Sequence, residues 1–182
     1  MLPTVTQALF AVLCLSSTPP AVPQLTTIDA TTEASLADWD RKVAQLIRRG
    51  ELKLREGQPT DDGKRQDEWY VQVHDGVPVI GTEVWRQAEG KKTLALEGSF
   101  YEGIVLNARP KLTLEEARVV FITLAKGSPG PSLAPVLVVL PQPDKFVLVY
   151  QARVLTGTDL TLYSIDASSG DVVASEPEPR PQ

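Results

Sequence analysis

The sequence predicts an α+β protein built from two tandem helix-plus-antiparallel-meander subdomains. Two segments, around residues 36–47 and 114–125, carry apolar side chains at helical spacing, and each is followed by β-prone runs separated by short turn-forming pairs. Asn107-Ala-Arg-Pro110 divides the chain where one helix-then-strands unit ends and the next begins. Helices gathered on one face of antiparallel sheets are the packing solution for such an order. The 182 residues, 42% of them hydrophobic, suffice for one domain or two small ones sharing a core.

Residues 1–24 read as a signal peptide or leader. They contain no charged side chain, and Ala8-Leu-Phe-Ala-Val-Leu-Cys-Leu15 is an unbroken apolar run. That run has the length of a signal-peptide core and falls short of the roughly 20 apolar residues a bilayer span needs. Ser16, Ser17 and Ala21 are candidate exit points, crowded by Pro19, Pro20 and Pro23, and no Lys or Arg precedes the run. The alternative is a mis-assigned start or a leader with a sticky patch. Export places the protein outside the cell or in the periplasm or cell envelope. Removal of the leader takes Cys14, the only cysteine, with it, which suits an oxidising compartment. Leu13 is too large for a lipoprotein signal at Cys14.

In the first half, residues 35–50 form a helix whose inward face is Leu36, Trp39, Val43, Leu46 and Ile47. Ser35 is the expected N-cap, with Asp38 at the third position, and Gly50 the left-handed stop. Residues 58–67 are polar and turn-rich, hence a loop. Runs 68–74, 78–88 and 93–100 are strands, with Asp75-Gly76 and Glu89-Gly90 turning the chain between them. Strict alternation in the third places Leu94, Leu96 and Gly98 inward.

In the second half, Thr113-Leu-Glu-Glu116 matches a capping box. The helix it opens presents Leu114, Ala117, Phe121, Leu124 and Ala125, and stops at Lys126-Gly127. A Pro/Gly/Ser loop over 128–135 leads to strands at 136–140, 146–155, 160–166 and 171–174. Run 136–140 is apolar and uncharged, so it is buried, or an aggregation hazard if unpaired. Asp166 caps the Ser168-Ser-Gly170 turn rather than forming a calcium or carboxylate-pair site with Asp171. The tail, residues 176–182, is Pro-rich and expected extended and exposed.

Composition narrows the function. One His and one Cys leave too few ligands for a closed zinc site and permit no internal disulfide. A formal charge of -5 argues against nucleic acid. His74 lacks a nucleophile or second ligand beside it and reads as an ordinary strand-end histidine. No catalytic, cofactor-binding or metal-binding residue is expected, and the protein is not expected to be an enzyme.

Trp69-Tyr-Val-Gln-Val-His-Asp-Gly-Val-Pro-Val-Ile-Gly-Thr-Glu83 resembles the central motif of the fungalysin/thermolysin propeptide (FTP) domain, with Tyr70, Gln72, Gly76, Val77, Pro78, Val79, Gly81 and Glu83 at its characteristic positions. The helix of residues 113–126, with Val149-Tyr-Gln-Ala-Arg-Val154 and Tyr163-Ser-Ile-Asp-Ala-Ser-Ser-Gly-Asp-Val-Val173, resembles a PepSY domain. The two resemblances follow the order found in proregions of thermolysin-like secreted metalloproteases. They imply cystatin-like subdomains at 25–108 (FTP-like) and 109–175 (PepSY-like), with 176–182 as the extended tail. Trp69 stands where the family commonly has Arg, and the loop Glu89-Gly-Lys-Lys92 is brief. No His-Glu-x-x-His motif occurs in the chain, so a protease of this kind cannot reside in it.

The resemblance implies a non-catalytic module that binds a thermolysin-like zinc metalloprotease as inhibitor and folding chaperone, the zinc being held by the partner. The eight motif residues are the implied partner-binding set, and the tail from Pro177 a candidate cleft-filler. Other readings are an exported PepSY-type protein with another envelope partner, or a remnant of a metalloprotease zymogen. No nucleic-acid partner and no stable membrane span are expected.

Overall fold

The computed structural model describes residues 22–61, 63–125, 134–156 and 159–178. The apolar leader run with Cys14, the Lys126-Gly127 stop, most of the 128–135 loop, Gly157 and residues 179–182 lie outside the described residues. Within them the chain is α+β, with one helix laid against each of two antiparallel sheets.

Helix α1 (Glu33–Arg49) begins one turn earlier than expected. Its N-cap is Thr32, whose hydroxyl accepts from the Ser35 N–H at 3.1 Å, while the Ser35 hydroxyl accepts from the Thr32 N–H at 2.9 Å. Ser35 is therefore the return partner of a capping box rather than the cap itself; two hydroxyls three residues apart satisfy two orphan amides where one would satisfy one. Gly50 ends the helix at φ 73, where its N–H reaches the Ile47 and Leu46 carbonyls. Val43 and Leu46 are buried, with Leu36, Trp39 and Ile47 packed around them, as the spacing predicts.

The first sheet runs β1-β6-β5-β3-β2, from β1 (Leu25–Ile28), β2 (Leu52–Pro59), β3 (Gln66–His74), β5 (Glu83–Glu89) and β6 (Lys92–Tyr101), with the short β4 (Val77–Pro78) folded back on β3. Ile28, Leu52, Tyr70, Val84, Leu96 and Phe100 form the core beneath α1. Three expectations need correction. Strands β1 and β2 join the sheet, and Gln58 and Pro59 pair with Asp67 and Gln66, so the expected 58–67 loop is narrower. Run 78–88 is two elements, broken where Gly81 takes φ 76. Strict alternation fails at Leu94: a register shift opposite Gln87/Ala88 leaves Leu94 unpaired and turns Thr93 inward, where it is buried.

The second sheet runs β10-β9-β8-β7, from β7 (Val136–Pro141), β8 (Phe146–Thr156), β9 (Asp159–Asp166) and β10 (Val172–Pro177). Helix α2 (Leu114–Leu124) opens with the expected box: the Thr113 N–H donates to Glu116 Oε2 at 2.7 Å, and the Glu116 N–H to Thr113 Oγ1 at 3.2 Å. Its Ala117 and Phe121, with Ala125 just beyond, are buried against Leu148, Tyr150, Ala152, Val154 and Ile165. Leu114, expected on that face, is 50% exposed: as the first residue of the helix it lies outside the buried set that begins at Ala117. Asp166 caps its turn, accepting from the Ser168 and Ser169 amides at 2.7 and 3.0 Å. In run 136–140, Val138 and Val139 are buried but Val136 is exposed.

The start of the tail is not free. Strand β10 carries Glu176 and Pro177 opposite Leu162 and Thr161, the Glu178 N–H donates to the Leu160 carbonyl at 2.9 Å, and Arg153 grips Glu178 at 2.8 Å. β10 is an edge strand, so the N–H that Pro177 lacks is not missed.

Candidate functional site

The segment from Tyr70 to Glu83 is the joint between the two sheets. Asp75 (φ 48) and Gly76 (φ 85) form a two-residue turn with both centres in the left-handed region, which suits the strand twist of a tight hairpin. The chain returns along β3, pairing Val77 with His74 and Pro78 with Val73. It then leaves β3 for the second sheet: Val79 bridges Val139 in parallel, and the Ile80 N–H donates to the Val139 carbonyl at 2.9 Å. The edge of β7 is thereby partly covered by the first half of the chain. Gly81 turns the backbone away, the Thr82 hydroxyl closes the bend on the Val79 carbonyl at 2.8 Å, and Glu83 enters β5.

Period-two geometry sorts the residues of this segment. Val77 and Val79 are buried in the larger core with Phe121, Val139 and Tyr150. Gly76, Pro78, Ile80, Gly81 and Glu83 face outward. Glu83 is held by Arg55 at 2.6 Å across the intervening strand β3. Of the eight residues the motif singles out, Gly76, Pro78, Gly81 and Glu83 are thus accessible, and Tyr70, Gln72, Val77 and Val79 are internal.

Gln72 has a specific internal task. Its side chain is buried where β5 has not yet begun, and its amide replaces the missing strand. Nε2 donates to the Tyr101 carbonyl at 2.6 Å, and Oε1 accepts from the Tyr101 N–H at 2.8 Å. Tyr101 in turn meets Phe146 edge-on, ring centres 5.4 Å apart, so the clamp also steadies a contact between the halves. Nearby, His74 Nε2 lies 2.8 Å from the Leu106 carbonyl. A carbonyl only accepts, so that nitrogen carries the proton and the ring tethers the linker, whose Ile104, Leu106, Ala108 and Leu112 pack on the second core. A polar cleft of about 610 Å³ opens beside this tether, lined by Arg49, Glu51, His74, Asp75 and Tyr101 among others.

Tyr70 belongs to a polar network beneath α1. Its hydroxyl donates to Glu68 Oε2 at 2.8 Å, Arg86 Nη1 donates to the same oxygen at 2.9 Å, and Arg86 Nε reaches Thr93 Oγ1 at 2.9 Å, which donates on to Asp40. Burial, followed by the Glu68 carboxylate, pushes the Tyr70 phenol up to about 12. For Arg86, burial alone would favour loss of the proton, but Glu68 and Asp40 outweigh it and raise the guanidinium above its ordinary value. The network ties helix to sheet through side chains that bond to one another. Its only signal in the sequence is charge at inward positions of two strands, visible once the register is known.

No family model and no curated protein matches the chain. Among solved structures it is similar to the Bacillus megaterium YpeB C-terminal domain, with a TM-score of 0.40 and 16% identity, covering 80% of this chain and 66% of that one. The chain thus spans about two thirds of the length of that structure. Among the described residues no group of three or more His, Cys, Asp or Glu side chains is placed to hold a metal, and no helix is long and apolar enough to cross a membrane.

Proposed function

We propose that the protein is a non-catalytic, propeptide-like module that docks on the folded catalytic domain of a thermolysin-like zinc metalloprotease, inhibiting it and favouring its native state. The observation that carries this reading is the division of the 76–83 segment. Val77 and Val79 anchor it from behind in the larger core, and Pro78, Gly81 and Glu83 stand outward on a backbone already held by both sheets. A strip ordered before binding loses less conformational freedom when a partner covers it. A module that binds the native protease but not its unfolded chain stabilises the former by mass action. The zinc belongs to the partner, so this chain supplies shape and hydrogen bonds and no chemistry of its own.

The test is titration of the purified chain into a panel of thermolysin-like proteases, followed by peptide hydrolysis and by gel filtration of the mixture. Dose-dependent loss of hydrolysis with a co-migrating complex is expected from at least one member. A Pro78→Asp/Glu83→Lys variant with unchanged circular dichroism should weaken inhibition about tenfold or more, as losing an outward apolar contact and a charge contact with the partner would. Full activity of every protease at a large excess of chain, with no complex, contradicts the proposal.

A further inference from the structure

The face of the first sheet opposite α1 carries an aromatic platform that the fold does not use. Registers place Glu97 opposite Trp85, Trp85 opposite Trp69 and Trp69 opposite Glu56, a single row across four strands. Both indoles are half-buried, as is Val71 beside them, so they form a surface rather than a core. An open cleft of about 500 Å³ adjoins the row, with Trp85, Glu83, Glu97 and Ser99 in its lining. The charge on this face is net negative: Glu56, Asp67, Glu83, Glu89 and Glu97 stand against Lys53, Arg55 and Lys92, with Lys92 opposite Glu89 at the hairpin end and Arg55 already engaged by Glu83. Glu56 and Asp67 accept from Gln58 and Gln87, while Glu97 is exposed and has no ion-pair partner among the described residues.

We propose that this face docks a basic, extended segment of a partner polypeptide, with a Lys or Arg side chain lying over Trp85 and Trp69 and its charge directed to Glu97. A cation within about 6 Å of an indole face is attracted by the ring quadrupole, and a carboxylate at the ring's edge adds direction. Such a row suits an extended chain, whose side chains on one face repeat every second residue and step along the platform. The surface is separate from the outward residues of the sheet joint except at Glu83, and it does not require the partner to be a protease.

The test uses the full chain labelled with ¹⁵N and titrated with acetyl-Gly-Arg-Gly-Arg-Gly-amide, alongside the same peptide with citrulline for arginine. The indole N–H signals of Trp69 and Trp85 should shift saturably while that of Trp39, on the sheet-facing side of α1, stays put. The citrulline peptide should produce no saturable shift. Glu97→Gln, an exposed and neutral exchange, should raise the apparent Kd about threefold or more, and added salt should do the same. The proposal is overturned if neither indole responds at millimolar peptide, if citrulline binds equally well, or if Glu97→Gln leaves the Kd unchanged. Because no protease is present, failure here leaves the protease reading standing, and failure of inhibition leaves this one standing.

Discussion

Replacing Gln72 by Leu tests how the first sheet closes the gap between β3 and β6 where β5 has not yet begun. The substitution keeps the side chain's approximate volume and removes both hydrogen bonds to Tyr101, at 2.6 and 2.8 Å. Each such bond is worth about 1 kcal/mol net, and a polar group left dry without a partner costs about 1–3 kcal/mol. Tyr101 is itself half-buried, so water reaches part of the gap and the loss should lie near about 2 kcal/mol, rising to about 4 kcal/mol if the backbone pair stays dry. That is a large share of a typical domain's stability, about 5–15 kcal/mol. With a urea slope of about 2 kcal/mol per molar, the midpoint should fall by about 1 M at unchanged slope. Hydrogen exchange should also show the Tyr101 amide losing protection while the amides of β9 keep theirs. A midpoint within about 0.2 M of the parent, with Tyr101 still protected, would refute the view that this amide stands in for a missing strand.

Two further outcomes follow from the same structure. Gly98 takes φ 132, and a Cβ there would lie 2.1 Å from the Glu83 carbonyl oxygen, so Gly98→Ala should destabilise by about 3 kcal/mol or more in chemical denaturation, and a loss under about 1 kcal/mol would contradict the close approach of β5 and β6. Tyr70 has its pKa raised to about 12 from 10.0, so the folded state holds a proton the unfolded state releases. Its contribution to stability is therefore complete below about pH 10 and is lost as pH rises through about 12, amounting to about 2 kcal/mol against a Tyr70→Phe reference. Parallel stability profiles for the two proteins across that range would show the shift to be absent.

How far the chain could be read in advance depended on how regular each element is. Helix α1 and the capping box at Thr113 were accessible because their signals are local: apolar spacing in one case, two side chains three residues apart in the other. Strand β2 was not. Its side chains beyond Leu52 are exposed, and a register shift between Leu54 and Glu56 breaks the two-residue period by which a strand is recognised. A similar shift in β6 misdirected Leu94. The joint was half readable. Asp75-Gly76 announces a turn, whereas the roles of Val77 and Val79 depend on Val139, roughly sixty residues away, which no local pattern indicates. Gln72 is the clearest case, since a polar residue in a strand reads as outward until the gap it fills is seen. Motif residues that look like one partner-facing set are, in the fold, divided between holding the sheets together and facing solvent.

The most direct test of the proposed function is hydrogen–deuterium exchange of the full chain with and without a thermolysin-like protease whose active site has been blocked. Docking through the joint predicts slowed exchange in peptides covering residues 76–83 at saturating protease, with β9 and β10 unchanged. Identical exchange of the 76–83 segment in both samples, at a protease concentration that binds the chain or at the highest one attainable, would contradict it.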